Sequence, residues 1–241
     1  MIHNIRKEFF NLDLANYQLT FDDGLYSQYY YFSLFEPKSS PRIYFIVTGL
    51  IQPGKARKVF DGQYLPYLKS GKYMYEAFVK KDFDPFMRLE ELEVIADQKE
   101  VIIGAHSHFH DIILTEHRLK KPLSQWKLER LPCPLKKNEV SPINRRSKLA
   151  YQGYAYSGGN LVKRPKTQWV DYIKYDTESC LVWFEKHLGF QPSAYCFPFN
   201  EYTPVLVKIL KSYGFRHFYN GRSGDGEQIF SRMDIDNFFE D

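Results

Sequence analysis

Short apolar and β-branched runs recur along this chain with helical patterns between them, and no other feature restricts its fold as strongly. The strand candidates are residues 17–21, 42–47, 101–103, 193–197, 216–219 and 229–233, each bounded by turn residues. From 85 to 96, Met87, Leu89, Leu92 and Ile95 with Ala96 recur at helical spacing. Residues 170–188 repeat this through Ile173, Cys180, Leu181, Phe184 and Leu188, and Gly189 supplies a stop. Thr203-Pro204 opens a third helix, with proline at a favoured first-turn position, and Gly214 closes it. Such alternation predicts parallel βα units, as a barrel or an open sheet. Both arrangements place chemistry at the C-terminal ends of strands.

At 241 residues the chain can form one large domain or two small ones. The runs continue from Tyr17 to Met233 with no low-complexity linker, so a single domain over 1–241 is expected. Two segments stand outside the alternation, at about 48–84 and 115–167, and are expected to be inserted loops; loops this long are usually functional or disordered. The first is rich in Tyr, Lys and Gly. The second holds Tyr151-Gln152-Gly153-Tyr154-Ala155-Tyr156-Ser157, a composition suited to stacking on sugars. Net charge is +4, yet residues 116–166 carry thirteen Lys or Arg against three Glu. That basic stretch faces phosphate or anionic sugar, or is simply a solvated loop. Three scattered cysteines exclude a disulfide framework or a thiolate zinc site. With no signal-peptide pattern and no membrane-length apolar run, a cytoplasmic, reduced protein is expected. No nucleic-acid module accompanies the basic stretch, so no nucleic-acid partner is expected.

Two polar motifs follow strand candidates. Leu19-Thr20-Phe21 leads into Asp22-Asp23-Gly24, and Val101-Ile102-Ile103-Gly104-Ala105 leads into His106-Ser107-His108-Phe109-His110. Asp-Gly alone is a common turn. Three of only seven histidines within five residues are harder to explain structurally. Carboxylate plus imidazole is a ligand set for a divalent metal. If the segment stays extended, His106, His108 and His110 share one face. If the chain turns after Ala105, His106 and His110 converge and His108 diverges. Asp23 with His106 and His110 would leave a position open for water, as catalytic sites do. A metal-held water has a pKa of about 7 rather than roughly 15.7, and Asp22 is placed to take its proton.

These residues resemble a known family. Thr20-Phe21-Asp22-Asp23-Gly24 is similar to the first motif of the polysaccharide deacetylases, the NodB-homology or carbohydrate esterase 4 group. His106-Ser107-His108-Phe109-His110 resembles the second, and Tyr195-Cys196-Phe197-Pro198-Phe199-Asn200 the third, an aromatic-Arg-any-Pro-aromatic-Gly run. The motifs come in family order, and the resemblance spans roughly residues 17–236. It implies a distorted, incomplete (β/α) barrel. It implies Asp22 as the base, with Asp23, His106 and His110 as ligands of Zn²⁺ or a similar ion. Pro198, Phe199 and Asn200 would bind substrate. The implied reaction is removal of an N-acetyl group from an amino sugar in a polysaccharide or saccharide precursor. Metal-bound water attacks the amide carbonyl, and the Phe199 N–H helps hold the oxyanion.

The chain departs from the pattern in three places. Cys196 stands where the family has an arginine that orients the base, and Asn200 where it has glycine. The family's late Leu-any-His motif, source of the general acid, has no counterpart. His108 is the first candidate for that acid, ahead of His117 and His217. A cytoplasmic enzyme would meet a lipid- or nucleotide-linked saccharide, with Arg145, Arg146 and Lys148 meeting its phosphates. Two other readings stand beside this one. A non-catalytic or weakly active sugar-binding protein on the same fold would explain the missing groups. A metallo-β-lactamase-like hydrolase would use the His-x-His-x-His-Asp run but has no need of Asp22-Asp23.

Overall fold

The computed structural model describes residues 1–35, 41–116, 126, 130, 144–157, 160–224 and 228–239. Ten strands form among them: β1 Thr20–Asp23, β2 Arg42–Ile46, β3 Val101–Ala105, β4 Ile112–Glu116, β5 Asn144–Ser147, β6 Tyr154–Ser157, β7 Asn160–Lys163, β8 Ala194–Cys196, β9 His217–Tyr219 and β10 Ile229–Phe230. Six of them pair in parallel in the order β1-β2-β3-β8-β9-β10. With the helices Leu89–Ala96, Lys166–Leu188 and Pro204–Ser212 they make an incomplete (β/α) barrel. Every described strand expected to build the barrel is present, shifted at its ends by a few residues.

β2 lies between β1 and β3 and is buried along its whole length. Its run Ile43-Tyr44-Phe45-Ile46 reads as continuously apolar because a parallel strand is covered on both faces. Arg42 enters that environment with its guanidinium 3.9 Å above the Phe32 ring. It donates to the Phe32 and Phe35 carbonyls at 2.8 and 2.7 Å. The long helix turns Trp169, Ile173, Cys180 and Phe184 inward, and Gly189 ends it with φ 72°. Thr203 caps the last long helix by accepting from the Leu206 N–H, as its sequence position implies.

The ring is open between β1 and β10. There the backbone of Ile2 lies along the outer edge of β1, donating to Thr20 O at 2.7 Å and accepting from Asp22 N at 2.9 Å. Met1 O in turn accepts from Ile235 N at 3.1 Å. Residues ahead of β1 thus cover an edge that the missing strands leave exposed.

The two insertions differ from expectation. Residues 115–167 are not only loop: they supply β5, β6 and β7, which join β4, entering from Ile112, in a four-stranded antiparallel sheet in the order β5-β4-β6-β7. Strands of four or five residues set in basic sequence give too weak a periodicity to be read. His117 and six of the thirteen basic residues lie outside the described residues. The earlier insertion supplies a short helix, Ser70–Tyr75, which continues into a wider turn over Glu76–Lys80. It is anchored by Glu91, wholly buried on the helix Leu89–Ala96. The Arg57 Nε and Nη2 donate to both carboxylate oxygens of Glu91 at 2.7 and 2.8 Å, and Arg57 N adds a third bond at 2.9 Å. No described helix is long and apolar enough to cross a membrane.

Glu91→Ala would leave the Arg57 charge, 17 % exposed, with only the exposed Asp84 carboxylate 3.9 Å away. The expected loss is about 3 kcal/mol in urea unfolding, with faster proteolytic cleavage around residues 52–68.

Candidate active site

Adjacent residues of a regular strand point to opposite faces, which would separate Asp22 from Asp23. Asp23 escapes this with φ 77°, followed by Gly24 at φ 79°, and both carboxylates line the same cleft. The departure from strand geometry is part of a pattern. Of the six described non-glycine residues with positive φ, five are Asp23, Ser107, His110, Phe199 and Asn200, all at the strand ends and following loops on this side of the barrel. Such conformations cost of order 1–3 kcal/mol each and cluster where function demands them.

The second motif follows β3 and turns rather than extending. Ser107 takes φ 70°, and its hydroxyl accepts from His110 N at 2.9 Å. His106 and His110 therefore converge, with ring centroids 5.1 Å apart, and His108 diverges. Two outside anchors hold the turn. Thr48 N and Gly49 N donate to the carbonyls of Ser107 and His108 at 3.2 and 3.0 Å. Gly49 must be glycine, since a Cβ there would sit 2.5 Å from His108 O. On the other side the buried Asp176 accepts from His108 N at 3.1 Å and Phe109 N at 3.0 Å.

Asp23, His106 and His110 bring one ligand atom each to within 4.8 Å of one another. Asp23 Oδ1 lies 3.5 Å from His106 Nε2 and 3.8 Å from His110 Nε2. It is buried and has no hydrogen-bond partner among the described residues. The other oxygen, Oδ2, accepts from Tyr73 Oη at 2.9 Å and faces His3 Nδ1 at 3.3 Å. His106 Nδ1 lies 2.9 Å from the Cys196 carbonyl; a carbonyl only accepts, so Nδ1 carries the proton and Nε2 keeps its lone pair. Burial lowers the pKa of His106, and that of His110 to about 4, so both rings are neutral at pH 7. Neutral imidazoles, an orphaned carboxylate oxygen and outer-shell bonds that fix orientation are the donor set a divalent ion requires.

A second cluster, Asp22 with His106 and Cys196, is equally compact. It already holds a cation. Arg232 Nη1 and Nη2 donate to Asp22 Oδ1 and Oδ2 at 2.6 and 2.9 Å, and Nη2 lies 2.9 Å from Cys196 Sγ. Burial drives the Cys196 thiol well above its ordinary pKa, so it stays protonated. Burial also opposes ionisation of Asp22, but the Arg232 charge outweighs it and holds the carboxyl well below the usual range.

Of the other residues expected here, Phe199 and Asn200 line the cleft and Pro198 is buried. The Phe199 ring packs 4.5 Å from that of His110. His108 does not line the cleft: its Nδ1 pairs with Thr48 Oγ1 at 2.8 Å. His217 is exposed at the opposite, N-terminal end of β9. Sequence reasoning missed Arg232, His3 and Tyr73. His3 lines the cleft; burial opposes its charge, yet the bond to Asp23 prevails and raises its pKa to about 9.

Both insertions wall the cleft, which encloses about 660 Å³. Ser70, Tyr73 and Met74 come from the first, Ile112 and Arg146 from the sheet of the second. Glu201 clamps that sheet to the third-motif loop, accepting from Arg146 Nε and from Ser147 N, each at 2.6 Å. Lys148 is likewise engaged, 3.1 Å from Asp111 Oδ2. Two of the three cations expected to meet phosphate thus already have carboxylate partners, and the Arg145 side chain lies outside the described residues.

Two outcomes are expected. Tyr73→Phe removes one bond to Asp23 and should weaken Zn²⁺ affinity about 10-fold in a competitive chelator titration. Burial lifts the Asp176 pKa to about 6, so its ionisation costs folding energy: the contribution is favourable below the ordinary carboxylate pKa of about 4 and is lost as pH rises through about 6. The stability of wild type minus that of Asp176→Asn should fall by about 2 kcal/mol between pH 4 and 7 in urea unfolding.

No protein-family model matches the sequence, and no curated protein matches it. Solved structures do share its fold. The deacetylase domain of BpsB from Bordetella bronchiseptica superposes with a TM-score of 0.57 at 15% identity, over 90% of this chain and 69% of that one. A de-N-acetylase from Aggregatibacter actinomycetemcomitans gives 0.59 at 14% identity, over 96% and 78% of the respective chains.

Proposed function

We propose that this chain is a divergent polysaccharide deacetylase, a hydrolase that removes N-acetyl groups from amino sugars with a divalent ion, Zn²⁺ by its ligands, held by Asp23, His106 and His110. The observation that carries this reading is Asp23 Oδ1, buried, unpartnered and facing two imidazole Nε2 atoms, with an ionised second carboxylate beside it in the same cleft. The fold shared with a de-N-acetylase supports it.

A bound divalent ion supplies Lewis-acid polarisation of a carbonyl and brings the pKa of a coordinated water to about 7. The chain supplies the rest. Asp22, adjacent to a ligand and outside the ligand set, accepts a proton at a carboxylate oxygen. Tyr73 and His3 hold Asp23 Oδ2, so Oδ1 is left for the ion. Phe199 and Asn200, on a strained turn, form the wall against which the acyl group is held. The substrate proposed is a carbohydrate bearing an N-acetyl group, in a cleft large enough for more than the acetamide alone.

The test is to incubate Zn²⁺-loaded protein with N-acetylated saccharides and assay both acetate and new free amine. Asp22→Asn should cut turnover by roughly 10²–10⁴-fold with metal content unchanged. Elemental analysis of His110→Ala should show the metal lost. A fully metallated wild type that releases no acetate from any saccharide would leave a sugar-binding protein as the better reading. Unchanged metal binding after Asp23→Ala would favour the metallo-β-lactamase-like alternative.

A further inference from the structure

We infer that Arg232, from the segment after β10, is the positioning residue for the base Asp22, in the seat that Cys196 is too small to fill. The inference rests on the deacetylase reading, which gives Asp22 its role. Arg232 is 7 % exposed, and each terminal of its guanidinium is committed. Nε donates to Asn220 O at 3.0 Å. Nη1 serves Asp22 Oδ1 at 2.6 Å and Thr20 Oγ1 at 3.2 Å. Nη2 serves Asp22 Oδ2 at 2.9 Å and Asn200 Oδ1 at 3.3 Å.

Neutralising a buried carboxylate requires only a nearby cation. Gripping both of its oxygens at once does more, because two parallel bonds fix the plane of the carboxylate. The remaining lone pairs of Asp22 are then presented in one direction. The bond to Asn200 ties the same guanidinium to the third-motif loop, so base and acyl-binding wall are set relative to each other by one side chain.

The space is decided at residue 196. Cys196 Sγ is in contact with Arg232 Nη2 at 2.9 Å and lies 3.6 Å from Asp22 Oδ2. A long side chain on β8 would occupy the volume the guanidinium now fills, and two guanidiniums beside one carboxylate would repel. Positions 196 and 232 are therefore alternative sources of a single cation, one on β8 and the other in the segment after β10.

The test is kinetic, on the metallated full chain. Arg232→Lys keeps the charge and loses the two-pronged grip, so kcat should fall at least 10-fold with KM, metal content and thermal midpoint little changed. Arg232→Ala should lose about 100-fold in kcat, and adding Cys196→Arg to it should recover at least a tenfold part of that loss. Wild-type kcat in Arg232→Lys, or no gain from Cys196→Arg in the Arg232→Ala background, would overturn the inference. An inactive wild type would instead sink the deacetylase reading. The pairing then remains measurable by a thermal double-mutant cycle. Asp22→Asn should raise the melting midpoint of Arg232→Ala, and strictly additive effects would count against the pairing.

Discussion

Two carboxylates on consecutive residues, Asp22 and Asp23, are 1 % and 3 % exposed, and the rest of the structure is arranged around keeping both ionised there. An isolated buried carboxylate would protonate or unfold the protein. Asp22 is held by Arg232, with both oxygens occupied. Asp23 receives Tyr73 and His3 on one oxygen, and the other has no hydrogen-bond partner among the described residues. The two arrangements suit the different roles proposed for the two carboxylates. A base must be oriented and kept charged, whereas a ligand must keep one lone pair uncommitted.

The barrel's incompleteness contributes to this arrangement. Where strands are missing between β10 and β1, residues ahead of β1 lie along the open edge and bring His3 to the cleft. The segment after β10 brings Arg232 from the other side. The insertions then raise walls over an otherwise shallow end of the sheet. Glu91 with Arg57 and Glu201 with Arg146 pin those walls to the barrel. Cations that composition suggested as a phosphate-binding surface are, where described, partly spent on this internal bracing.

Strand–helix alternation, the C-terminal placement of both motifs and the third-motif loop were legible because each is a local property of a few consecutive residues. The convergence of His106 with His110 was one of two arrangements the sequence left open, and the turn at Ser107 selects it. The sheet of β4 to β7 was not legible: its strands are short and pair antiparallel within a segment whose basic composition hides alternation. The choice of His108 as proton donor failed to find its geometry because the same turn that joins His106 to His110 directs His108 to Thr48.

From the sequence alone came the candidate ligands Asp23, His106 and His110 with Asp22 beside them, within motifs of five residues, and a parallel βα fold from the alternation of strand and helix patterns. What only the tertiary structure decided is how those groups are held. Arg232 reaches Asp22 across 210 positions, Tyr73 reaches Asp23 across 50, and Asp176 reaches His108 across 68. No periodicity or spacing encodes such pairs. The physical reason is that a buried carboxylate accepts a cation from whichever part of the chain the fold brings to it, and here that cation comes from the segment after β10.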